Sequence, residues 1–270
     1  MVKGLYTAYT GMINQMKRLD TMTNNLANSD TNGYKSEFAT SQSFDDVLAF
    51  KVKDQSESLR GYNMHYEGDI TLGVKIGEVY TDFSQGSFKE TGNDYDVALG
   101  GNGFFAISFT NNAGEQSFKL TRDGAFVVDD EGYLRTKDGD YVLNQQAALA
   151  GNATAAGYIQ IDPNLPATID RAGTIWQNEQ IVGTLGFVDV DNYDTIEKYG
   201  ENMYQIVEGG NIIASGANVY QGYLEMSNTQ VVNNMVDMIA IYRAYESNQR
   251  VETAMDDMID KAVNQVGRVS

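Results

Sequence analysis

Gly101-Asn102-Gly103-Phe104-Phe105-Ala106 has the outline of a dinucleotide-binding loop, in which glycines let the backbone approach a pyrophosphate. That chemistry needs a helix N-terminus directly after the loop. An aromatic strand pattern follows instead, so the segment reads as a hairpin turn. Asp189, Asp191, Asp194 and Glu197 are spaced like part of a calcium loop, which requires several converging oxygens. Tyr193 stands at a ligand position and no Gly makes the bend, which favours a solvated strand end. The single histidine, His65, would serve as a general base only with a distant Ser and Asp. No Gly-x-Ser-x-Gly elbow surrounds any serine, so His65 reads as structural. Asp129-Asp130 and Asp256-Asp257 are adjacent in sequence, which points their carboxylates apart on a strand or helix and leaves no catalytic pair. No enzyme chemistry and no cofactor are expected.

Composition narrows the partners. The 270 residues carry 19 Lys+Arg against 37 Asp+Glu, a net charge of −18. Nucleic acid and anionic membrane surfaces both reward Lys and Arg, so neither is an expected partner. With no Cys there is no disulfide framework, thiolate nucleophile or Cys-ligated zinc. The opening Met1 to Thr7 lacks the apolar run of a cleaved signal peptide. The longest uncharged stretch, Tyr141 to Ile161, holds Asn144, Gln145, Gln146, Asn152 and Gln160 and does not read as a membrane span.

Charge and residue type divide the chain. Residues 1–36 carry a net +2, residues 221–270 a net −3, and the middle −17. Nine of the eleven Met lie in the two terminal segments, while Gly concentrates between Gly61 and Gly139. At the N-terminus Val2, Leu5, Tyr9, Met12, Met16, Leu19, Thr23 and Leu26 are spaced alternately by three and four, the seam of a helix that packs on another helix. Polar turn formers from Asn24 to Gly33 end that helix near Asn28. At the C-terminus Val231, Met235, Met238, Tyr242 and Tyr245 repeat the spacing, and Val251, Met255, Met258, Ala262 and Val266 resume it after a slip of one residue, which predicts a phase shift. Between the helices, turn signals at Asn102-Gly103, Asn111 to Gly114, Asp123-Gly124, Asp129 to Gly132 and Asp138-Gly139 predict a β meander. Phe104 to Phe109 alternates as a half-buried strand, further strands are expected near Gly183 to Val190 and Met203 to Val207, and Ala147 to Gly157 reads as an exposed connection. The fold class is α+β: paired N- and C-terminal coiled-coil helices plus a central all-β domain. The expected divisions are an N-terminal helix over 1–36, an extended connecting segment over 37–75, an acidic β domain over 76–220 and a C-terminal helix over 221–270.

The narrow seams lie at opposite ends of the chain and are rich in Met and Tyr, which adapt to several neighbours, so a self-assembling helical layer fits them better than helices capping a sheet. The expected assembly residues are Leu5, Tyr9, Met12, Met16, Leu19, Leu26, Val231, Met235, Met238, Tyr242, Tyr245, Met255 and Met258.

Leu19-Asp20-Thr21-Met22-Thr23-Asn24-Asn25-Leu26-Ala27-Asn28, followed by Thr31-Asn32-Gly33-Tyr34-Lys35, resembles the N-terminal signature of bacterial flagellar rod and hook proteins, with Asn24, Asn25, Asn28, Gly33, Tyr34 and Lys35 as signature positions. Gln221 to Asn228, Met235 to Ile239 and Arg243 to Asn248 resemble the same family's C-terminal helix. Thr91-Gly92, Asp96 to Leu99, Gly101 to Phe105 and Thr121 to Gly124 resemble its β domain. The resemblance implies a structural subunit of the basal-body rod, proximal or distal, with one β domain. It implies self-assembly through the terminal helices into a hollow helical tube beside other rod, hook and ring proteins. It also implies export across the cytoplasmic membrane by the flagellar type III export apparatus without signal cleavage. The competing reading is a secreted carbohydrate- or calcium-binding β domain with helical oligomerisation arms.

Overall fold

The computed structural model describes residues 2–45, 47–52, 64–111, 114–200 and 202–266, with the backbone alone for residues 2, 47–52, 64–70 and 265–266. It is a mixed helix and strand architecture, with one long helix at each end and a β-rich region between them. The chain divides into two compact units. The first contains residues 1–27, 37–82 and 230–270, and the second contains 28–36 and 83–229.

The first unit is built on α1 (Val2–Ala27) and α3 (Val231–Lys261), with β1 (Glu37–Ser43), β2 (Val47–Val52), β3 (Met64–Ile70) and β4 (Val74–Thr81) between them in sequence. α1 ends at Ala27, one residue before the expected Asn28 and within the run of polar turn formers. β1 pairs antiparallel with β4, and β2 with β3. His65 falls on β3 opposite Lys51, and its side chain lies outside the described residues.

The second unit contains β5 (Phe88–Glu90), β6 (Val97–Gly100), β7 (Phe104–Thr110), β8 (Gln116–Thr121), β9 (Phe126–Val128), β10 (Leu134–Thr136), β11 (Tyr141–Val142) and the short α2 (Gln145–Ala150). It continues with β12 (Thr168–Ile169), β13 (Thr174–Gln177), β14 (Gln180–Thr184), β15 (Phe187–Val190), β16 (Ile196–Gly200), β17 (Met203–Ile206), β18 (Ile212–Ala214), β19 (Asn218–Gln221) and β20 (Tyr223–Glu225). The main sheet runs β16-β17-β8-β7-β11-β10-β9, with β15 joining β7 to β18.

Two expectations are corrected here. β7 is not half-buried: Phe105 enters the larger core cluster with Phe126, Leu134 and Leu185, while Phe104 and Ala106 enter a second cluster with Leu120, Val188 and Tyr204. Each face of the central strand therefore has its own core, and the alternation records two cores rather than core and solvent. Ala147 to Gly157 is not simply an exposed connection, because α2 lies across its start. The Asn144 side chain accepts a hydrogen bond from the Ala147 N–H at 2.9 Å, Gly151 closes the helix at φ +63°, and Ala148 is fully buried. Small residues suit that tight site.

Candidate functional site

α1 and α3 pack antiparallel: Gly4 leaves room for the Met255 side chain and Gly11 for the Asn248 amide. On α1 the buried or half-buried residues facing inward step through Leu5, Ala8, Met12, Gln15, Leu19, Met22 and Leu26. On α3 they step through Val231, Asn234, Met238, Ile241, Tyr245, Asn248, Glu252, Met255 and Ile259, and Ala262 follows at the C-cap. Both rows alternate three and four without a break, so α3 needs no phase shift. The slip expected from apolar residues alone arises because Asn234, Asn248 and Glu252 hold seam positions.

Eight of the expected assembly residues lie on these rows: Leu5, Met12, Leu19, Leu26, Val231, Met238, Tyr245 and Met255. The other five face solvent, with exposures of 51% for Tyr9, 46% for Met16, 48% for Met235, 54% for Tyr242 and 48% for Met258. They are joined by Tyr6 and Ile13 on α1 and by Val232, Val236 and Ile239 on α3. Tyr6, Tyr9, Ile13 and Met16 on α1, and Val232, Met235, Ile239 and Tyr242 on α3, thus form a second apolar row displaced by one residue from the row that closes the unit, with Val236 and Met258 outside it.

A third face of α1 is polar and buried through Thr10, Asn14 and Asn25. The Asn14 Oδ1 accepts from the Ser41 hydroxyl at 3.0 Å. Asn25, fully buried, donates through Nδ2 to the Glu37 carbonyl at 2.7 Å, and its Oδ1 accepts from the Glu37 N–H at 2.9 Å. The amide mimics one step of a β ladder and fixes where β1 begins. Asn25→Leu removes both bonds and is expected to destabilise the first unit by about 1–3 kcal/mol, read as faster amide hydrogen exchange across residues 37–43.

The remaining signature positions have different places. Asn24 is exposed on α1, and Asn28 caps its turn, accepting from the Thr31 hydroxyl at 3.2 Å. Gly33, Tyr34 and Lys35 are buried in the second unit. The Tyr34 ring lies under Lys198, 4.1 Å from the ammonium. Lys35 Nζ contacts Glu225 Oε1 at 2.6 Å and donates to the Ser84 carbonyl at 2.8 Å, with Lys35 and Glu225 side chains each 1% exposed. Arg122 Nε lies 3.2 Å from the other Glu225 oxygen, and Arg122 Nη2 donates to the Gly101 carbonyl at 2.7 Å. The Gly86 N–H completes the shell on Glu225 Oε1 at 3.0 Å, and the Gly33 N–H donates to the Glu225 backbone carbonyl at 2.7 Å. Two cations and one carboxylate are therefore enclosed together, which is tolerable only while each is paired and hydrogen-bonded.

Among the described residues, the loop and acidic candidates for chemistry are taken up by structural contacts. Gly101 to Gly103 bends directly into β7, and the Asn102 carbonyl accepts from the Ser215 hydroxyl at 2.5 Å, so this is a turn. Asp189 Oδ1 is occupied by the Tyr193 hydroxyl at 2.7 Å and the Val190 N–H at 2.9 Å. Burial first, and then that hydrogen bond, raise the Tyr193 pKa and keep it a donor. Beside the ion cluster, burial raises the Asp123 carboxyl above its usual value, opposed by the Ala125 N–H it accepts at 3.0 Å. Among the described residues no three His, Asp or Glu side chains converge to hold a metal, and no helix is long and apolar enough to cross a membrane.

Comparison with known proteins gives the family. Residues 5–35 match the family described as Flagella basal body rod protein, residues 98–177 the Flagellar hook protein FlgE/F/G D1 domain, and residues 220–266 the Flagellar basal body rod FlgEFG protein C-terminal. The flagellar basal-body rod protein FlgF of Caulobacter vibrioides is 32% identical over 267 residues, spanning 97% of this chain and 98% of its own. The chain belongs to the flagellar basal-body rod family. Its relatives include a rod protein FlgG of Buchnera aphidicola subsp. Schizaphis graminum, 31% identical over 97% of this chain and 98% of that one. The flagellar hook-basal body complex protein FlhO of Bacillus subtilis is 28% identical across the whole of both chains. The protein is a structural subunit of the flagellar basal-body rod and resides in the basal body.

Each of the three matched rod-family segments supplies one member of the enclosed ion cluster: Lys35 from the first, Arg122 from the second and Glu225 from the third. Arg122 and Glu225 went unremarked as site residues because nothing in their local spacing signals a partner. The available signal was in one family-like motif only: Gln221 to Asn228 holds Glu225 with no basic residue, whereas in Thr121 to Gly124 the adjacent Asp123 masks the distant partner of Arg122.

Proposed function

We propose that this rod subunit uses its antiparallel terminal helices as a coiled-coil pair that self-assembles with copies of the same chain into the wall of a hollow helical tube, alongside other rod, hook and ring proteins. In this reading residues 1–36 and 221–270 supply the inner assembly layer, 37–75 is a connecting segment, and 76–220 forms a separate acidic β region. The observation that carries it is the second apolar row on each helix, with Tyr9, Met16, Met235 and Tyr242 about half exposed. Rows of that size on a soluble subunit mark protein contacts. An interface between copies that does not close generates a helical shaft instead of a ring. The family supports delivery by the flagellar type III export apparatus without signal cleavage, and the net charge of −18 favours solubility on the way.

The test is Met238→Asp in the chromosomal copy. Met238 sits half-buried in the α1–α3 seam, so a carboxylate there opposes helix pairing. Swimming should be abolished and the variant should be missing from isolated basal bodies, while Trp176 emission, which reports the second unit, stays unchanged. Normal swimming with wild-type amounts of the variant in basal bodies would overturn the proposal.

A further inference from the structure

The two exposed rows are not equivalent, and their placement points to which surface meets which. On α1 the row is Tyr6, Tyr9, Ile13 and Met16, ending near the helix centre; on α3 it is Val232, Met235, Ile239 and Tyr242, in the N-terminal half, with Val251 and Met258 exposed off that row. Because Gly4 lies level with Met255 and Gly11 with Asn248, Tyr9 lies level with residue 250 and Ile239 with residue 20. The rows therefore occupy opposite ends of the helix pair, offset by about 11 residues or ~16 Å at 1.5 Å per residue. Neither can cover the other within one chain.

Charge selects the occupant. Lys3, Lys17 and Arg18 bracket the α1 row, with no acidic residue before Asp20. Two α1 rows laid together antiparallel set Lys17 and Arg18 against Lys3, which repels. The α3 row contains Asp237, exposed within it, and no basic residue until Arg243. The α1 row is also aromatic at one end, whereas the α3 row is mainly aliphatic, so rings meet branched side chains when unlike rows meet.

We infer that the Tyr6/Tyr9/Ile13/Met16 row of one copy seats on the Val232/Met235/Ile239/Tyr242 row of another, and that repetition of this head-to-tail contact propagates the assembly. The inference rests on the self-assembling reading above and adds the pairing. Two four-residue rows fall well short of the ~1,200–2,000 Å² buried by a stable isolated complex. A single contact is therefore weak, and the pairing holds when it recurs between many neighbours.

The chain contains no cysteine, which makes disulfide trapping unambiguous. Full-length protein carrying both Tyr9→Cys and Ile239→Cys is expressed in place of the native copy, and basal bodies are isolated, oxidised and resolved without reductant. Within a chain the two sulfurs cannot meet, because a disulfide needs Cα atoms within about 7 Å and the axial offset alone is about twice that. The expected result is a ladder of dimers, trimers and higher multiples from the double variant, collapsing to monomer on reduction, with each single variant remaining monomeric. Several outcomes would overturn the pairing: dimers from a single variant, a lone dimer band from the double variant, or a band whose mass is not a multiple of this chain. Monomer alone from the double variant, in basal bodies that contain it and rotate normally, would reject the pairing and leave the rod subunit reading intact. Absence of the native protein from basal bodies would reject the rod reading itself.

Discussion

Glu225→Gln should lower the stability of the second unit by about 3–5 kcal/mol, the range observed when one partner is removed from an enclosed ion pair. The replacement keeps the volume and still offers Oε1 to the Gly86 N–H, so packing changes little. What it removes is the countercharge shared by Lys35 at 2.6 Å and Arg122 at 3.2 Å, both within side chains at most 4% exposed. Two cations then face each other away from bulk solvent. The Arg135–Asp129 pair is an internal comparison: at 2.7 Å its geometry is as good, but its side chains are 27% and 34% exposed. Asp129→Asn is expected to cost less than about 1 kcal/mol. Urea unfolding followed through Trp176, the single tryptophan, measures both. Equal losses from the two substitutions would mean that enclosure is not what makes the cluster matter. Replacing Lys35 and Glu225 together by Met should cost at least about 1 kcal/mol less than the two single changes summed, because each single change loses the same Lys35–Glu225 attraction and the double change loses it only once. That coupling is what identifies the cluster as a unit and not a set of independent contacts.

The consequence for folding follows from sequence separation. Lys35 and Glu225 are 190 residues apart, and Arg122 lies between them, so the cluster closes only after nearly the whole chain is present. Until then two cations have no shared carboxylate, and docking of residues 28–36 is opposed.

These partnerships show where single-sequence reading stops. The terminal helices were legible because apolar side chains recur with a helical period. The rows that close the first unit share Leu5, Met12, Leu19 and Leu26, and Val231, Met238, Tyr245 and Met255, with the apolar pattern. Between these positions the seam uses Ala8, Gln15, Asn234, Asn248 and Glu252. Small or polar residues carry no hydrophobic signal, so the pattern jumps to the larger side chains one residue along, Tyr9, Met16 and Met235; at Ile241 the seam residue is itself apolar and the pattern took its neighbour Tyr242 instead. The displacement was informative in its own way, because it found the surface that the isolated chain leaves uncovered. The β meander was legible from its turns. Which strand lies at the centre was not, since β7 is flanked within the sheet by β8, β11 and β15, which join it across up to 84 residues. The signature was legible as a motif, but its roles were not: Asn25 imitates a strand, and Lys35 meets a carboxylate that no local spacing announces.

Gly33→Ala is expected to be as damaging as the loss of Glu225, for a reason that separates contact from conformation. Gly33 has φ +66°, N-donates to the Glu225 carbonyl at 2.7 Å, and faces the backbone of Arg122 and Asp123. A Cβ there would lie closer to the Arg122 carbonyl and the Asp123 nitrogen than bonded structures allow, and no side chain is available to swing aside. The left-handed conformation alone costs an L-residue about 1–2 kcal/mol. Relief of the clash must move either residues 32–34 or the strand end that presents Arg122, and both are held by the enclosed ion cluster. A total of about 4 kcal/mol or more is therefore expected, in the tail reserved for strain at a special backbone position. Gly139 supplies the control, with φ +100° and no atom within 4 Å of its Cβ position. Gly139→Ala should show the conformational cost without the clash, about 1–2 kcal/mol. Thermal and urea unfolding of the two variants separate the terms, and equal losses would show that the approach to Arg122 relaxes freely. A large gap would mean that the signature glycine is required because the chain passes there against the backbone of the cluster, so that substitution loosens Lys35, Arg122 and Glu225 together. Swimming at growth temperature should then fail in Gly33→Ala and persist in Gly139→Ala, although neither residue lies on an exposed helix row.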